Sequence, residues 1–368
     1  MPELNHLLLL CRAGFERECA VEIQERAAAV GIYGYPKFKG ETGFVTFICH
    51  VPGDALALTE RVAWDELVFV RQWAACLPVL TDIPKQDRVG FIAEQLEGFP
   101  LCGEVWVEAA DSEQGSALQG LCRKIVPPLS SALRKQGVLS NKRNQRLPRL
   151  YIGWMDERQL YIGYVLPRHA SPWPQGILRL KFPPAAPSRS TLKLEEAWRF
   201  FIPEEAWPKV LEPGMKAVDL GACPGGWTWQ LVNRYMKVVS VDNGPMDDAL
   251  MKSGQVTHAV TDGFTYTPQS PVDWMVCDIA DKPGRVIDLM IKWIVRGWCR
   301  FTVFNLKLPM HKRYESYIQC ITKLDEACKE AGIPLHRQVR HLYHDREEIT
   351  VFACQEQDWQ LMLDQLGR

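Results

Sequence analysis

The sequence predicts an α/β protein whose C-terminal half is a mostly parallel sheet ending in an antiparallel hairpin, and whose N-terminal half is a separate α+β module. The C-terminal half alternates helical segments with short apolar runs, namely KAVDLG, KVVSVD, THAVTD, DWMVCD and FTVFNLK. Such alternation is typical of a parallel sheet covered by helices on both faces. Two further apolar runs, RQVRHLY and EITVFAC, are separated only by HDRE, which predicts the hairpin.

The N-terminal half shows mixed elements. ECAVEIQERAAAV has the apolar spacing of an amphipathic helix, while LLLL, GFVTFICHV, LVFVRQWAACL and EVWVEAAD are β-rich runs. QGLCRKIVPPLSSALRKQGVL is predicted to form amphipathic helices interrupted at Pro127 and Pro128. RLYIGWMDERQLYIGYVL is predicted to form two strands around a turn.

A proline-rich stretch of poor periodicity, PRHASPWPQGILRLKFPPAAP, separates the two halves. Proline disfavours helix interiors and central strands, so this stretch is predicted to be a linker. The predicted organisation is an N-terminal module over residues 1–166, a linker over 167–187 and a C-terminal domain over 188–368.

Composition is that of a globular protein, with 47% hydrophobic and 24% charged residues and a net charge of −1. The N-terminus has only four consecutive leucines and no preceding basic residue, so it predicts neither a signal peptide nor a membrane span. The twelve cysteines contain no CxxC pair, which argues against structural zinc and disulfides. We expect a cytoplasmic protein with no metal and no membrane partner.

Positive charge is concentrated between Leu121 and Leu150, where no residue is acidic. Such a local field could hold nucleic-acid phosphates, although it could also be a solvated surface. We assign RNA contact to the eight basic residues of this stretch: Arg123, Lys124, Arg134, Lys135, Lys142, Arg143, Arg146 and Arg149.

The first strand of the C-terminal half leads into the glycine-rich turn DLGACPGGWT. Gly221, Gly225 and Gly226 predict a tight turn that a ligand can approach closely, and Pro224 stiffens it. The spacing is G-x-x-x-G-G rather than the G-x-G-x-x-G that cradles a pyrophosphate. A ligand without phosphates therefore fits better than a nicotinamide or flavin cofactor.

Aspartates follow the next strands in turn, at the edge where ligands of open α/β sheets bind. Asp242 is placed to accept hydrogen bonds from ribose hydroxyls, Asp262 to meet an adenine amino group, and Asp278 to lie where a sulfonium methyl emerges. This combination favours S-adenosylmethionine, although a single aspartate after a strand is often only a turn residue.

Lys307 follows the strand FTVFN. Amino-group methyltransferases usually carry an Asn/Asp-Pro-Pro-aromatic run at this place, and that run is absent. A lysine suggests a hydroxyl acceptor, which must lose or share its proton during attack.

DLGACPGGWT, VCD and NLK, with Lys193 in STLKLEEA and Glu348 in DREEITVF, resemble the FtsJ group of Lys-Asp-Lys-Glu ribose 2′-O-methyltransferases. FPPAAPSRSTLKLEEA, SVDNGPM, GWCR, FNLKLPM and LYHDREE extend the resemblance to bacterial enzymes that methylate a cytidine 2′-hydroxyl of 23S ribosomal RNA. The resemblance implies a Rossmann-like class I methyltransferase domain, an N-terminal THUMP-containing RNA-binding module, and 23S ribosomal RNA or a pre-ribosomal large-subunit particle as partner.

The resemblance also implies the site. Lys307, Asp278, Lys193 and Glu348 are expected to be catalytic, with Glu347 as the other residue that could align with the family's glutamate. The residues expected to bind the cofactor are Ser190, Gly221, Cys223, Pro224, Gly225, Gly226, Asp242, Asp262 and Asp278.

Two questions stay open at this point. Lys307 could act as a neutral base or as a charged group that orients the hydroxyl. The chain could instead be a ribosome assembly factor with an inactive methyltransferase fold, or an RNA base methyltransferase.

Overall fold

The computed structural model describes residues 2–364 and 366–367, which divide into two compact units, Met1–Leu178 and Arg179–Arg368. The division falls inside the stretch that the sequence predicts as a linker. Each unit contains one seven-stranded sheet.

The sheet of the first unit is mostly antiparallel, with strand order β2-β3-β1-β4-β7-β6-β5, and only β5 and β6 run parallel. Helices α3 and α4 cover the half formed by β5, β6 and β7 with an apolar core. The elements of this unit are β1 (His6–Leu10), α1 (Glu16–Ala29), β2 (Gly34–Phe38), β3 (Phe44–Cys49), α2 (Asp54–Arg61), β4 (Gln72–Cys76), α3 (Arg88–Glu94), β5 (Glu104–Ala109), α4 (Glu113–Gln136), β6 (Arg149–Trp154) and β7 (Leu160–Val165).

Helix α4 corrects one prediction, because it runs through Pro127 and Pro128 without interruption. Each proline removes one backbone donor from the helix. Both prolines lie on the exposed face, where water can satisfy the carbonyls that lose a partner. Ile125 before the prolines and Leu129 after them are buried on the opposite face and anchor the helix on both sides of the break in hydrogen bonding.

Strand β4 is shorter than the β-rich run LVFVRQWAACL from which it was predicted. The amides of Val68 and Phe69 donate to the buried carboxylate of Glu22, at 2.5 and 2.9 Å. Because these donors are satisfied outside the sheet, the first part of the run does not need a strand partner.

The sheet of the second unit has strand order β10-β9-β8-β11-β12-β14-β13. The first five strands in this order are parallel, and β14 and β13 complete one edge as an antiparallel hairpin, as the sequence predicts. The elements are α5 (Thr191–Phe201), α6 (Trp207–Val210), β8 (Lys216–Leu220), α7 (Gly226–Val232), β9 (Lys237–Val241), α8 (Asp248–Lys252), β10 (Val256–Ala259), β11 (Val272–Cys277), α9 (Pro283–Val295), β12 (Cys299–Lys307), α10 (Arg313–Glu330), β13 (Leu335–Arg340), β14 (Glu348–Gln355) and α11 (Glu356–Asp364).

Helices α5 and α7 pack on one face of this sheet. Trp198 of α5 meets Trp274 of β11 edge to face, with ring centroids 5.8 Å apart, and both are fully buried. Phe301 and Val303 of β12 belong to the same core. Since alternate residues of a strand share a face, Asn305 and Lys307 also point toward the side that α5 covers.

Candidate active site

The turn after β8 is shaped by Gly221 and Gly225. Their φ angles are +76° and +117°, a region that residues with a Cβ rarely adopt. A Cβ at Gly221 would lie 2.7 Å from Cγ1 of Ile279, and one at Gly225 would lie 2.3 Å from Cδ1 of Leu250. The sequence predicted a close ligand at this turn; the structure gives a second reason for the glycines, because the chain's own side chains pack against them.

The start of α7 packs against the segment that leads into α5. Gly226 opens α7, and a Cβ there would lie 2.1 Å from Oγ of Ser190. The indole nitrogen of Trp227 donates to the backbone oxygen of Ser190 at 3.0 Å. These contacts bring Ser190 to the glycine-rich turn, and they place the first turn of α5, which carries Lys193, next to it.

Asp242 lies at the end of β9 and accepts two backbone hydrogen bonds. The amide of Cys223 donates to Oδ2 at 3.0 Å, and the amide of Gly244 donates to Oδ1 at 2.7 Å. The side chain is half-buried. Each carboxylate oxygen has a second lone pair for a further donor, so the backbone fixes the carboxylate and leaves it able to accept from two hydroxyls.

The other strand-end aspartates of the turn region differ in exposure. Asp262 is exposed and accepts from the amide of Phe264 at 2.9 Å. Asp219 is buried within β8, and its carboxylate accepts from the hydroxyl of Thr228 at 2.7 Å. Burial raises the pKa of Asp219 to about 7. Asp262 is therefore open to a ligand, whereas Asp219 is enclosed and connects β8 to α7 through Thr228.

A charged cluster joins three elements at the carboxyl edge of the sheet. The ammonium of Lys193 lies 3.1 and 3.2 Å from the two carboxylate oxygens of Asp278, and 2.5 Å from Oε1 of Glu348. All three side chains are largely but not fully buried. Glu347, the alternative to Glu348, points away and pairs with Arg313 at 2.7 Å.

Burial and the neighbouring charges shift the pKa values of this cluster in opposite directions. Burial lowers the pKa of Lys193, but Asp278 and Glu348 outweigh it and the net pKa is raised. Burial raises the pKa of Glu348, and Lys193 outweighs it so that the net pKa is lowered. For Asp278, burial dominates and raises the pKa, while Lys193 and Asn305 oppose it.

Lys307 stands beside this cluster without joining it. It ends β12 and pairs in register with Glu348 of β14, and its side chain is exposed. Within the described chain, its ammonium makes no hydrogen bond or ion pair. The carboxylates of Asp278 and Glu348 both contact the ammonium of Lys193.

Three buried polar residues near the cluster were missed from the sequence: Asn305, Thr350 and Asp345. The amide nitrogen of Asn305 donates to Oδ1 of Asp278 at 2.9 Å. The hydroxyl of Thr350 lies 2.9 Å from Oδ1 of Asn305 and 2.8 Å from Oδ2 of Asp345. One sequence signal was available, since Asn305 interrupts the apolar strand FTVFNL.

The residues present suit S-adenosylmethionine. Asp242 offers a free lone pair on each oxygen, which matches the two hydroxyls of a ribose. Asp278 and Glu348 place negative charge near the strand ends, where a sulfonium is favoured electrostatically. The structure describes no group of three or more His, Cys, Asp or Glu side chains that could hold a metal ion.

The basic stretch of the first unit is largely exposed. Arg123 and Arg134 lie eleven residues apart on α4, as do Lys124 and Lys135. Eleven residues make about three helical turns, so each pair shares one side of the helix. Lys142, Arg143 and Arg146 follow in the exposed segment before β6.

Arg149 corrects the predicted set, because its side chain is only 2% exposed. Its guanidinium donates to Glu104 at 2.8 Å and to the backbone oxygen of Ser171 at 2.9 Å. It also stacks on the ring of Trp106 at 3.4 Å. Sequence alone could not reveal this, since the acidic partner comes from β5 and not from the basic stretch itself.

A second surface of the first unit combines aromatic and basic side chains along edge strand β2. Tyr33, Tyr35 and Phe38 are 63%, 44% and 47% exposed. The ammonium of Lys37 lies 5.5 Å from the centre of the Tyr35 ring, and Lys39 is also exposed. We call these five residues the β2 surface; nothing in the sequence analysis had singled them out.

No helix in the described parts of the chain is both long and apolar enough to span a membrane.

Three family models match successive parts of the chain. Residues 4–74 match one described as an RlmM ferredoxin-like domain, and residues 87–166 match the N-terminal domain of ribosomal RNA large subunit methyltransferase M. Residues 186–309 match an FtsJ-like methyltransferase. None of these descriptions names a THUMP domain, so that expectation stays a prediction.

Curated relatives match nearly the whole chain. Ribosomal RNA large subunit methyltransferase M of Azotobacter vinelandii is 47% identical over 351 residues, covering 95% of this chain and 98% of the relative. The protein of the same name from Edwardsiella ictaluri is 48% identical over 349 residues, covering 95% and 93%. Among solved structures, TrmN from Thermus thermophilus aligns with 95% of this chain and 99% of its own, at 14% identity and a TM-score of 0.34.

Proposed function

The chain belongs to the ribosomal RNA large subunit methyltransferase M family, and from this premise we propose that it transfers a methyl group from S-adenosylmethionine to the 2′-hydroxyl of a cytidine in 23S ribosomal RNA. The observation that carries this proposal is the cluster at the carboxyl edge of the second sheet. Lys193 forms ion pairs with both Asp278 and Glu348, and Lys307 stands next to them with no protein partner in the described chain.

Methyl transfer to a hydroxyl needs alignment of the oxygen with the methyl group and a way to handle the hydroxyl proton. When bound, S-adenosylmethionine supplies an electrophilic methyl group on a positively charged sulfur. Asp242 would hold its ribose, and Asp278 and Glu348 would favour its charge. Ser190 and the turn from Gly221 to Gly226 would line the same site.

Lys307 is the group that we assign to the 2′-hydroxyl. A carboxylate in contact with a lysine stabilises its charged form, and in this site Lys193 rather than Lys307 holds both carboxylates. Lys307 is therefore available to bind the hydroxyl, either accepting its proton or orienting an oxygen lone pair toward the methyl group.

We assign RNA contact to the first unit, with 23S ribosomal RNA or a pre-ribosomal large-subunit particle as the partner and the cytoplasm as the location. The exposed basic residues of α4 and of the segment after it supply positive charge for phosphates. The β2 surface supplies aromatic rings on which unpaired bases can stack.

An alternative enzyme class, base methylation through a cysteine nucleophile, is disfavoured at the turn. Such a nucleophile works as a thiolate and needs a lowered pKa. Burial, followed by the nearby carboxylate of Asp242, instead raises the pKa of Cys223. An inactive assembly factor is the other alternative, and the complete set of Lys193, Asp278, Lys307 and Glu348 speaks against it.

The deciding experiment incubates the protein with labelled S-adenosylmethionine and 23S ribosomal RNA that lacks its methyl groups. The proposal predicts one labelled cytidine whose 3′ phosphodiester resists alkaline cleavage. Label on a base, with all bonds still cleaved by alkali, would replace the proposal with base methylation. RNA binding without any transfer would point to the assembly factor.

A further inference from the structure

A hydrogen-bonded chain of buried side chains leads from Asp345, through Thr350 and Asn305, to Asp278. Asp345, Thr350 and Asn305 are 1%, 0% and 3% exposed. Their polar atoms follow one another at 2.8 to 3.0 Å, and the last link joins Asn305 to Asp278 at 2.9 Å. Asn305 and Thr350 face each other in register across β12 and β14, two residues from the pair Lys307 and Glu348.

Donor and acceptor counting fixes the direction of this chain. The carboxylate of Asp278 can only accept, so Asn305 presents its amide nitrogen there and its carbonyl oxygen toward Thr350. Thr350 must then donate its single hydroxyl hydrogen to Asn305. The contact between Thr350 and Asp345 consequently requires a hydrogen on the carboxyl group of Asp345.

The surroundings of Asp345 favour that protonated form. Burial raises the pKa of Asp345 well above its ordinary value, and the nearby carboxylates of Glu348 and Glu196 raise it further. Lys193 opposes the shift without reversing it, and so would the Thr350 hydroxyl if it donated to an ionised carboxylate instead of to Asn305. The amide of Leu342 donates to Oδ2 of the same carboxyl group at 3.0 Å. Oδ1 accepts from no backbone amide in the described chain and lies 3.0 Å from the Thr350 hydroxyl, so it can carry the hydrogen and donate it to Thr350.

We propose that Asn305 is a positioning residue for Asp278, and that a protonated Asp345 holds Asn305 in the required orientation through Thr350. The proposal rests on the methyl transfer proposed above, because its purpose is to fix Asp278 against Lys193. With the amide reversed, the carbonyl oxygen of Asn305 would face the carboxylate of Asp278, and the two would repel each other.

Substitutions of Thr350 test the middle link of this hydrogen-bonded chain of side chains. Thr350→Val keeps the shape of the side chain and removes the hydroxyl, whereas Thr350→Ser keeps the hydroxyl. We expect Thr350→Val to slow single-turnover methyl transfer by about 10-fold to 100-fold through misplacement of Asp278, with unchanged affinity for S-adenosylmethionine, and Thr350→Ser to restore most of the rate. Equal rates in both variants and the wild type would overturn the proposal.

Substitutions of Asp345 test its protonation. Asp345→Asn supplies a permanent donor for Thr350 and an acceptor for Leu342, so we expect a rate close to that of the wild type at pH 7. Asp345→Ala should be slowed like Thr350→Val. If Asp345→Asn is as slow as Asp345→Ala while both remain folded by circular dichroism, a carboxylate is needed and the proposal is wrong.

A spectroscopic measurement separates this proposal from the proposed function. The infrared difference spectrum between the ligand-free wild type and Asp345→Asn at pH 7 should contain the carbonyl band of a protonated carboxyl group. A carboxylate band in its place would overturn the proposal. This result does not depend on catalysis, so a protein that transfers no methyl group would refute the proposed function and still reveal the state of Asp345.

Discussion

The two units contain charge clusters of opposite arrangement, each built around a largely buried central side chain. In the first unit one carboxylate, Glu104, lies between two guanidinium groups, Arg143 and Arg149, at 2.8 Å each. In the second unit one ammonium, Lys193, lies between two carboxylates, Asp278 and Glu348. Both arrangements compensate desolvation with opposite charge.

The clusters differ in what lies next to them. Arg149 is enclosed, with Trp106 stacked on its guanidinium and the Ser171 carbonyl as a further acceptor. The cluster around Lys193 opens at the strand ends, beside an exposed lysine without a protein partner in the described chain. Ion pairing alone therefore does not identify a functional site; access to the cluster and an adjacent group available for a ligand do.

The largest effect should come from the lysine beside the open cluster. Lys307→Ala should reduce single-turnover methyl transfer by about 100-fold to 10,000-fold, because it removes the group that acts on the hydroxyl. Binding of S-adenosylmethionine and RNA should be unchanged. Lys307→Arg keeps the charge but cannot become neutral, so activity in this variant favours orientation over proton abstraction. Full activity in Lys307→Ala would remove the distinction between the two clusters.

Loss of the buried cation of each cluster, Lys193 or Arg149, should cause a different kind of damage. Lys193→Met and Arg149→Met should each lower the free energy of unfolding by about 3 kcal/mol, because each removes a largely buried cation from a largely buried carboxylate. Arg149→Met leaves Glu104 with only the exposed Arg143, and Lys193→Met leaves Asp278 and Glu348 without their shared cation. Only Lys193→Met should also slow methyl transfer by the folded protein, and by less than Lys307→Ala does. Denaturant unfolding and activity at saturating substrates measure the two effects. An equal loss of activity from Arg149→Met would contradict the comparison.

The stabilisation from Lys193 should depend on pH in a defined direction. Lys193 lowers the pKa of Glu348, so the contribution is present above the unfolded pKa of about 4.3 and is lost as pH falls through the folded value. The pKa of Lys193 is raised in the folded protein, so at high pH the same contribution is lost only as pH rises through the folded pKa of Lys193. The stability gap between wild type and Lys193→Met should therefore narrow below about pH 4.

Cofactor binding should be affected less than catalysis. Asp242→Ala removes two acceptors for ribose hydroxyls and should weaken S-adenosylmethionine binding by about 1 to 3 kcal/mol in calorimetric titration. Asp248, exposed nearby on α8, is the control, and Asp248→Ala should bind normally. RNA affinity should not change in either variant. Unaltered cofactor affinity in Asp242→Ala would exclude our assignment of this residue.

Substitutions on the two surfaces of the first unit should change RNA binding alone, and each surface in a different way. Arg123→Ala combined with Arg134→Ala should reduce the salt dependence of RNA binding by a slope of about 2. Tyr35→Ala should weaken binding to single-stranded RNA by about 1 to 3 kcal/mol without changing that slope. Exposed Lys329 of the second unit, changed to Ala, is the charge control. If neither surface variant binds differently from it, RNA contact lies elsewhere.

Local patterns predicted the second unit well because parallel strands deliver their carboxyl ends to a single edge. Asp278 and Lys307 could thus be expected near each other from chain order alone. The first unit was harder to predict because its exposed and buried basic residues look alike in sequence. Arg149 is buried only because β5 brings Glu104 to it, and α4 continues through two prolines only because they face solvent.

The antiparallel pairing of β12 with β14 has a consequence for how the site can fail. This one ladder aligns Lys307 with Glu348 and Asn305 with Thr350. Side chains alternate between faces along a strand, so a slip of one residue would turn Glu348 and Thr350 together to the opposite side of the sheet. A shift in this register would therefore remove Glu348 and Thr350 from the site at the same time. Correct pairing of β14 with β12 is thus a condition for methyl transfer that is either met or not met.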